Sequence, residues 1–385
     1  MNPIRVIGII AAAMLAMFSL TGCWDSYDVE KNRYVTAMGF DYADHQYAVY
    51  AQMIDFANVA KQEKGKSDSP AVSFIGKGQG LTVNLAANNL YLTSQQRILW
   101  SHITSIVMTE AALKEGVKEF EDAYDRFHDT RYTQWVYGTW ENIESMFSTP
   151  DFFNMSSLTS ILHEPTSNYK QRSWIEPISW LHFLADILEP GKTVILPTLS
   201  VNQKQWKKNR DPEPKLQING AFIISGKVLK GWLSYDQLIG LRWMNPATKR
   251  TPLPIVDGDQ MLGVLSVESP SLKIAETFGR GMPRYKITLS VKGNVVEMKD
   301  DANVERMTQI AKTLIQKEVR ETFAHALALN ADIYQLDYHT YLHHYGMWKQ
   351  LEKEGTIHVN EQSLESIDVK IKLMHSGILR DFVKE

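Results

Sequence analysis

Tyr285-Lys286-Ile287-Thr288-Leu289-Ser290-Val291-Lys292 alternates apolar and polar side chains without a break. Successive side chains of a strand point to opposite faces, so this stretch predicts a strand with one dry face and one wet face. Gly293-Asn294 is expected to turn the chain after it. From Asn303 the period becomes helical. Val304, Met307, Ile310, Leu314, Ile315, Val319, Phe323 and Leu327 fall on one side, with Glu305, Gln309, Lys312, Gln316 and Arg320 opposite. Such a helix needs an apolar surface to cover. The final strand, in which Ile367, Val369, Ile371 and Leu373 alternate with Asp368, Lys370 and Lys372, completes that surface together with the hairpin. Strands, helix and strand in one segment predict an α+β unit, with helices on one face of a largely antiparallel sheet.

Toward the N-terminus, residues 221–224 and 228–233 read as a hairpin over Ser225-Gly226. Residues 203–215 are basic, poor in apolar side chains and contain Pro212 and Pro214, which predicts an exposed loop or linker. Trp180, Phe183, Leu184, Ile187 and Leu188 share one helix face, which Glu189-Pro190-Gly191 terminates. Residues 110–127 have helical spacing through Leu113, Val117, Phe120 and Tyr124, residues 102–108 read as a buried strand, and 84–92 reads as a helix. Strands at 34–41 and 47–56 turn at Asp44 and His45, and the charged stretch 61–69 reads as a loop. A sheet flanked by helices fits this order. No repeat of fixed period is present, which argues against a solenoid or propeller.

The composition is that of a folded protein: 44% hydrophobic, 10% aromatic and 22% charged. A net charge of −3 gives no electrostatic reason to expect nucleic acid as a partner. Cys23 is the single cysteine, so no disulfide forms within the chain. It closes Leu20-Thr21-Gly22-Cys23, a lipobox, behind Arg5 and an apolar run over residues 6–20. This is the layout of a signal peptide over residues 1–22 with Cys23 as the acylated first residue of the mature chain. The competing reading, a retained transmembrane helix, needs roughly 20 apolar residues, and this run is shorter. The roughly 360 residues that follow exceed one ordinary core, so length predicts two or three domains.

The chain carries no motif that compels catalysis. Gly76-Lys77-Gly78-Gln79-Gly80 meets the spacing of neither a P-loop nor a dinucleotide fingerprint, and is expected to be a tight turn or loop. No G-x-S-x-G elbow occurs. His339, His343 and His344 lie near Asp337, with His339 and His343 one helical turn apart, but without the H-E-x-x-H of a zinc site. Trp232, Trp243 and Trp348 are candidates for a pocket or interface and equally for core packing. The reading is therefore of a protein that is not an enzyme, with no catalytic residue and no metal site.

Taken together, the motifs resemble the C subunits of the nutrient germinant receptors of endospore-forming bacteria. Cys23-Trp24-Asp25 followed by a strand ending Met38-Gly39-Phe40-Asp41 is similar to the family's opening. Leu81-Thr82 heading a helix, His102 before a strand and Glu110 after it resemble its N-terminal half. Gly220-Ala221-Phe222, Gly231-Trp232-Leu233 and the closing stretch ending at Gly377 resemble its C-terminal half. One departure stands out: Gln335 and Asp337 occupy positions where many relatives carry glycine, which puts a turn of positive φ there in doubt.

The resemblance implies three successive mixed α/β domains, each a largely antiparallel sheet with packed helices, over 34–200, 201–270 and 271–385 after a lipidated tether over 23–33. It implies a lipid anchor on the outer face of the inner spore membrane and assembly with two integral membrane subunits. It also singles out Cys23 for lipidation, and Trp24, Asp25, Gly39, Asp41, His102, Gly231, Trp232 and Gly377 as family positions of unassigned role. Diacylglycerol and an N-acyl chain on Cys23 are the attached groups implied; no dissociable cofactor, nucleic acid or directly bound nutrient is. The alternative from another class is a lipid-anchored solute-binding protein of a transporter, which calls for two lobes of repeated βαβ units.

Overall fold

The computed structural model describes Ile7 and residues 33–54, 72–124, 131–278, 282–299, 302–352 and 359–373. The signal peptide, Cys23, Trp24, Asp25, the loop 61–69 and Gly377 lie outside the described residues.

β1 (Arg33–Ala43) and β2 (Gln46–Ile54) form the expected hairpin. Asp44 and His45 both have positive φ, 51° and 59°, as a two-residue turn between twisted strands requires. The glycine-rich stretch is a strand, not a loop: β3 (Ser73–Gly80) pairs with β2. Its glycines alternate because helix α1 (Val83–Asn89) lies directly on them; a Cβ at Gly78 would sit 2.1 Å from the Ala86 carbonyl oxygen. The Thr82 hydroxyl caps α1 by accepting from the Leu85 N–H at 3.2 Å, and a 3-10 turn, Leu90–Leu92, follows. β4 (Ile98–Leu99) and β5 (Ser105–Thr109) run parallel to β1. His102 lies in the turn ahead of β5 and not in the strand. The helix predicted over 110–127 is two, α2 (Glu110–Glu115) and α3 (Lys118–Tyr124), broken at Gly116 with φ 133°.

β6 (Trp135–Thr139), α4 (Ile143–Phe147), α5 (Pro165–Gln171), β7 (Ile178–Ser179) and α6 (Trp180–Leu188) lead into β8 (Thr193–Asn202). Residues 203–212 of the loop expected over 203–215 are, as expected, exposed. They form a small hairpin of β9 (Lys207–Lys208) and β10 (Asp211–Pro212) between two adjacent strands of one sheet, β8 and β11 (Lys215–Ser225). β12 (Val228–Ser234) returns from β11 through Gly226 and Lys227, both with positive φ. The sheet order is β12-β11-β8-β6-β5-β1-β2-β3. Its centre, β8-β6-β5-β1, is parallel, which corrects the largely antiparallel expectation. The helical crossovers α2–α3 and α4–α6 are what parallel neighbours need.

One face of this sheet is covered by α1, α2, α3 and α6, whose Ala86, Leu113, Phe120, Tyr124, Trp180 and Phe183 pack on Met38, Phe40, Met108 and Leu196. The other face is divided. Ile143, Met146, Phe147 and Leu162 cover Ala37, Tyr50, Val107 and Tyr137, while Ala221, Ile223 and Leu233 join the core of a second sheet. On the first part His163 is fully buried: its Nε2 donates to Gln52 Oε1 at 3.0 Å and its Nδ1 faces the Thr104 hydroxyl at 2.6 Å.

After α7 (Leu241–Met244), the second sheet has the order β13 (Thr251–Asp257), β14 (Gln260–Thr277), β15 (Arg284–Met298) and β16 (Leu364–Leu373). β13, β14 and β15 are antiparallel, and β16 is parallel to β15. Residues 201–270 are thus shared: β11 and β12 belong to the first sheet, β13 and the start of β14 to the second. Tyr285, Ile287, Leu289 and Val291 are buried as their alternation predicts. Gly293-Asn294 does not turn the chain. Both stay in register opposite Val267 and Ser266, where a Cβ on Gly293 would press on Leu373 at 3.2 Å.

α8 (Val304–Ala328) starts at Asn303, whose side chain accepts from the N–H groups of Glu305 and Arg306. Met307, Ala311, Ile315, Val319, Phe323 and Ala326 are buried against β13 and β16, and each large side chain there contributes ~1.5–3 kcal/mol. Val304, expected inside, is 37% exposed, and α9 (Leu336–His343) and α10 (Tyr345–Leu351) follow.

Glu318 is a buried carboxylate on the inner side of α8. Arg242 Nη2 donates to it at 2.9 Å, Trp243 Nε1 at 2.6 Å, and Arg242 Nη1 reaches Thr251 Oγ1 and the Pro252 carbonyl, both at 2.9 Å. Replacing Arg242 alone by Met leaves Glu318 charged and unpaired, and is expected to cost ~3–5 kcal/mol in urea unfolding. The double change Arg242→Met with Glu318→Leu should lose distinctly less than the single one, since neither charge is then left alone.

Candidate functional site

The described family positions do not converge on one pocket. Gly39 lets α4 approach β1, since a Cβ there would lie 2.6 Å from Ile143 Cγ2. Asp41 accepts from the Thr109 hydroxyl at 2.6 Å and from the Tyr42 N–H at 2.9 Å, and Thr109 in turn caps α2. His102 is exposed, with its ring 4.3 Å from that of Tyr34. Gly231 faces Leu329 after the end of α8, 2.9 Å from where a Cβ would stand.

Trp232 lies over Gly220 and Phe222 over Gly138, at places where a Cβ would come within 2.6 and 2.2 Å of the rings. Trp140, half exposed, closes this cluster with ring distances of 4.9 Å to Phe222 and 4.8 Å to Trp232. The Trp232 N–H donates to the Thr198 hydroxyl at 2.9 Å, which donates to Asn219 Oδ1 at 2.7 Å. Missing side chains at Gly138 and Gly220 are what admit the rings to the sheet surface. Of the other tryptophans, Trp243 and Trp348 are buried in packing positions.

A cleft of about 540 Å³ lies where the second sheet's elements meet the first. Trp135, Ser179, His182, Thr193 and Ile195 form one wall; Leu241, Met244, Asn245, Ile333 and Gln335 form the other. Gln335 closes it from below. Its amide accepts from the Thr193 N–H at 3.0 Å and donates to the Thr193 carbonyl at 2.6 Å, pairing a side chain with the first residue of β8. Its backbone has φ 58° and ψ 31°. The turn of positive φ put in doubt by the absence of glycine is therefore present. The two hydrogen bonds offset a left-handed cost of ~1–2 kcal/mol.

Asp332 supports the same turn, accepting from the N–H groups of Asp337 at 2.7 Å and Tyr334 at 3.2 Å. It is fully buried, and burial, with the Asp337 charge beside it, pushes its carboxyl up to about 7 in spite of those N–H bonds. Sequence reasoning did not single out Asp332 or Glu276. The latter gathers the histidines: His339 Nδ1 bonds one Glu276 oxygen, His344 Nε2 lies 3.1 Å from the other, and the His339 and His343 rings stack at 4.2 Å. Among the described residues no group of three His, Cys, Asp or Glu could hold a metal ion.

Residues 25–201 match the family model described as the spore germination protein N-terminal domain. Residues 219–377 match that described as spore germination B3/GerAC like, C-terminal. The chain is similar to spore germination protein KC of Bacillus subtilis (strain 168), 23% identical over 330 residues, or 82% of this chain and 81% of that one. It is also similar to spore germination protein A3 of the same organism, 22% identical over 295 residues, 75% and 74% of the two chains. The crystal structure of the GerBC protein shares the fold with a TM-score of 0.52 at 16% identity, covering 90% of this chain and 100% of that one.

Two stability tests follow from the cleft and its supports. Gln335→Ala should lose about 2 kcal/mol in urea unfolding and Gln335→Gly about 1, because glycine relieves the left-handed strain that alanine keeps. Asp332 and His163 carry opposite pH dependences. The folded Asp332 holds its proton more tightly than its usual 3.8, so its contribution is present below pH 4 and lost as pH rises through 7. Burial pushes His163 down from 6.5 to about 3, so its contribution is present above pH 6.5 and lost as pH falls toward 3. In urea series from pH 4 to 7.5, Asp332→Asn should gain on the wild type as pH rises, and His163→Gln should gain as it falls.

Proposed function

The chain belongs to the GerAC-like family of spore germination proteins, which are non-catalytic, and from that membership we propose that it is the lipid-anchored C subunit of a nutrient germinant receptor. The observation that carries the reading is that two family models, in family order, together reach from residue 25 to residue 377. In this proposal Cys23 bears diacylglycerol and an N-acyl chain and holds the folded part on the outer face of the inner spore membrane, beside two integral membrane subunits. Each buried acyl CH₂ contributes ~0.8 kcal/mol, so two or three chains anchor a protein durably without spanning. No described helix is long and apolar enough to cross a membrane.

The chain's part is assembly and coupling, not nutrient capture. The division into 34–200, 201–270 and 271–385 is kept as one of roles: the middle segment supplies strands to both sheets and so joins them. Trp24, Asp25 and Gly377 belong to the same proposal as contact positions. The solute-binding alternative lacks support, because the second sheet has three antiparallel strands where repeated βαβ units would give parallel ones.

Cys23→Ala in the full-length chain is the direct test. The protein should leave the membrane fraction of spores, and germination on the cognate nutrient, followed by loss of optical density, should slow to the level of a gene deletion. Unchanged fractionation and unchanged germination in a strain without sister receptors would overturn the anchored-subunit reading.

A further inference from the structure

β11 outruns one of its two neighbours. It pairs with β8 from Lys215 to Ser225, but with β12 only from Gly220 to Ser225. Beyond Ser234 the chain turns away: the Tyr235 N–H donates to the Asn219 carbonyl at 3.0 Å, and among the described residues no strand flanks 215–218 on that side. An open strand edge presents a row of backbone N–H and C=O groups. Standing in water, such an overhang is ordinary. Here it borders a groove of about 840 Å³, larger than the cleft beside Gln335. Lys215, Leu216, Gln217, Ile218 and Asn219 all line this groove. Successive side chains of a strand point to opposite faces, so a cavity that meets five residues in a row meets the strand's edge and not one of its faces.

The rest of the lining comes from α5, the segment 172–177 and the loop 149–152. Aromatic rings mark both ends. Near Lys215, the Phe152 and Trp206 rings lie 5.0 Å apart, with the Lys215 ammonium 4.8 Å from the Phe152 ring. Near Asn219, Trp174 stacks on Tyr235 at 4.1 Å. Four residue steps along β11 separate the two ring pairs, about 13 Å, which suits an extended occupant and not a compact one. Charge does not select it. Lys215 Nζ donates to the Pro150 carbonyl at 3.0 Å and to Glu213 at 3.2 Å, Asp151 accepts from the Phe152 N–H at 2.7 Å, and the Arg172 guanidinium lies 4.9 Å from the Trp174 ring. What stays open is the strand edge and the Trp174 indole N–H, which is buried with no partner among the described residues.

We propose that this groove takes an extended polypeptide segment, which adds as a strand to the open edge of residues 215–218 in line with β12. Main-chain hydrogen bonds supply the affinity in such an addition, and pockets for alternate side chains supply the selectivity. Leu216 and Ile218 pack toward the core of Ile143, Phe147 and Leu162, whereas Gln217 bonds Ser200 and Asn202 on the other face. The added strand shares those faces, so its side chains alternate apolar beside Leu216 and Ile218 with polar beside Gln217. This gives the assembly role a site, and it rests on that reading only for the source of the segment, a partner subunit.

The test pans a display library of random nonapeptides on the full-length chain in detergent micelles. Enriched peptides should alternate apolar and polar residues and should slow hydrogen exchange within residues 215–218. Methylating alternate backbone nitrogens of such a peptide removes the donors that a strand needs, and should weaken binding about tenfold or more. Tyr169→Ala, in the lining, should weaken it several-fold, while Trp140→Ala, in the ring cluster with Phe222 and Trp232, should leave it unchanged. A library that enriches nothing, binding that survives the methylation, or protection at another sheet edge such as β3 or β16 overturns the proposal. So does occupation of the groove by maltotriose, a neutral sugar chain, in place of any peptide. The assay needs neither the anchor nor a partner subunit, so its failure leaves the anchored-subunit reading standing.

Discussion

A guanidinium cannot give up its charge on burial, so all five of its N–H donors must be met. Arg242, 2% exposed, meets that condition with Glu318, Thr251 and the Pro252 carbonyl. Burial weakens its hold on the proton and the Glu318 carboxylate strengthens it, so the pair is one unit. Its flat faces are used as well: the Trp174 and Trp243 rings each lie 4.5 Å from the guanidinium carbon, and Trp174 stacks on Tyr235. Four parts of the chain meet there: the segment crossing the large sheet, α7, β13 and α8. The two sheets are held to one geometry because any relative displacement would leave a buried charge short of partners.

Around that fixed point, much of the family motif becomes packing geometry. Glycines 39, 138, 220 and 231 are small because a neighbouring layer occupies the space a side chain would need. Trp232 and Phe222 lie in two of those spaces. Gln335 shows a different solution to a similar demand: a residue with a Cβ is held in a left-handed turn by two hydrogen bonds that glycine could not make. Rigid layers locked in this way suit the assembly role proposed for this chain.

The legible parts of the fold were those in which one period serves one environment. The alternation from Tyr285 to Val291, the helix from Asn303, and the hairpins at Asp44-His45 and, one residue later than expected, at Gly226-Lys227 follow from local chemistry, because each turns or buries in the way its own residues prefer. Four segments were not legible for a common reason. Gly76 to Gly80 and Gly293-Asn294 look like turns, yet both are strands whose missing side chains make room for α1 and for Leu373. His102 and Gly116 interrupt regular spacing at places where the chain leaves one layer for another. Glu318, Asp332 and Glu276 carry polar residue types common on surfaces, and only their partners, distant in sequence, draw them inside.

By itself the sequence determined the regularly periodic strands and helices, the amphipathic face of the long helix, the presence of a single cysteine and the resemblance to germination proteins. These depend on order and spacing along the chain. Tertiary structure decided that the large sheet is parallel at its centre, that residues 201–270 serve both sheets, and that a glycine-rich stretch becomes the edge strand under α1. Those outcomes depend on which surfaces meet after the chain has crossed over itself, and no local period encodes the identity of a partner many residues away.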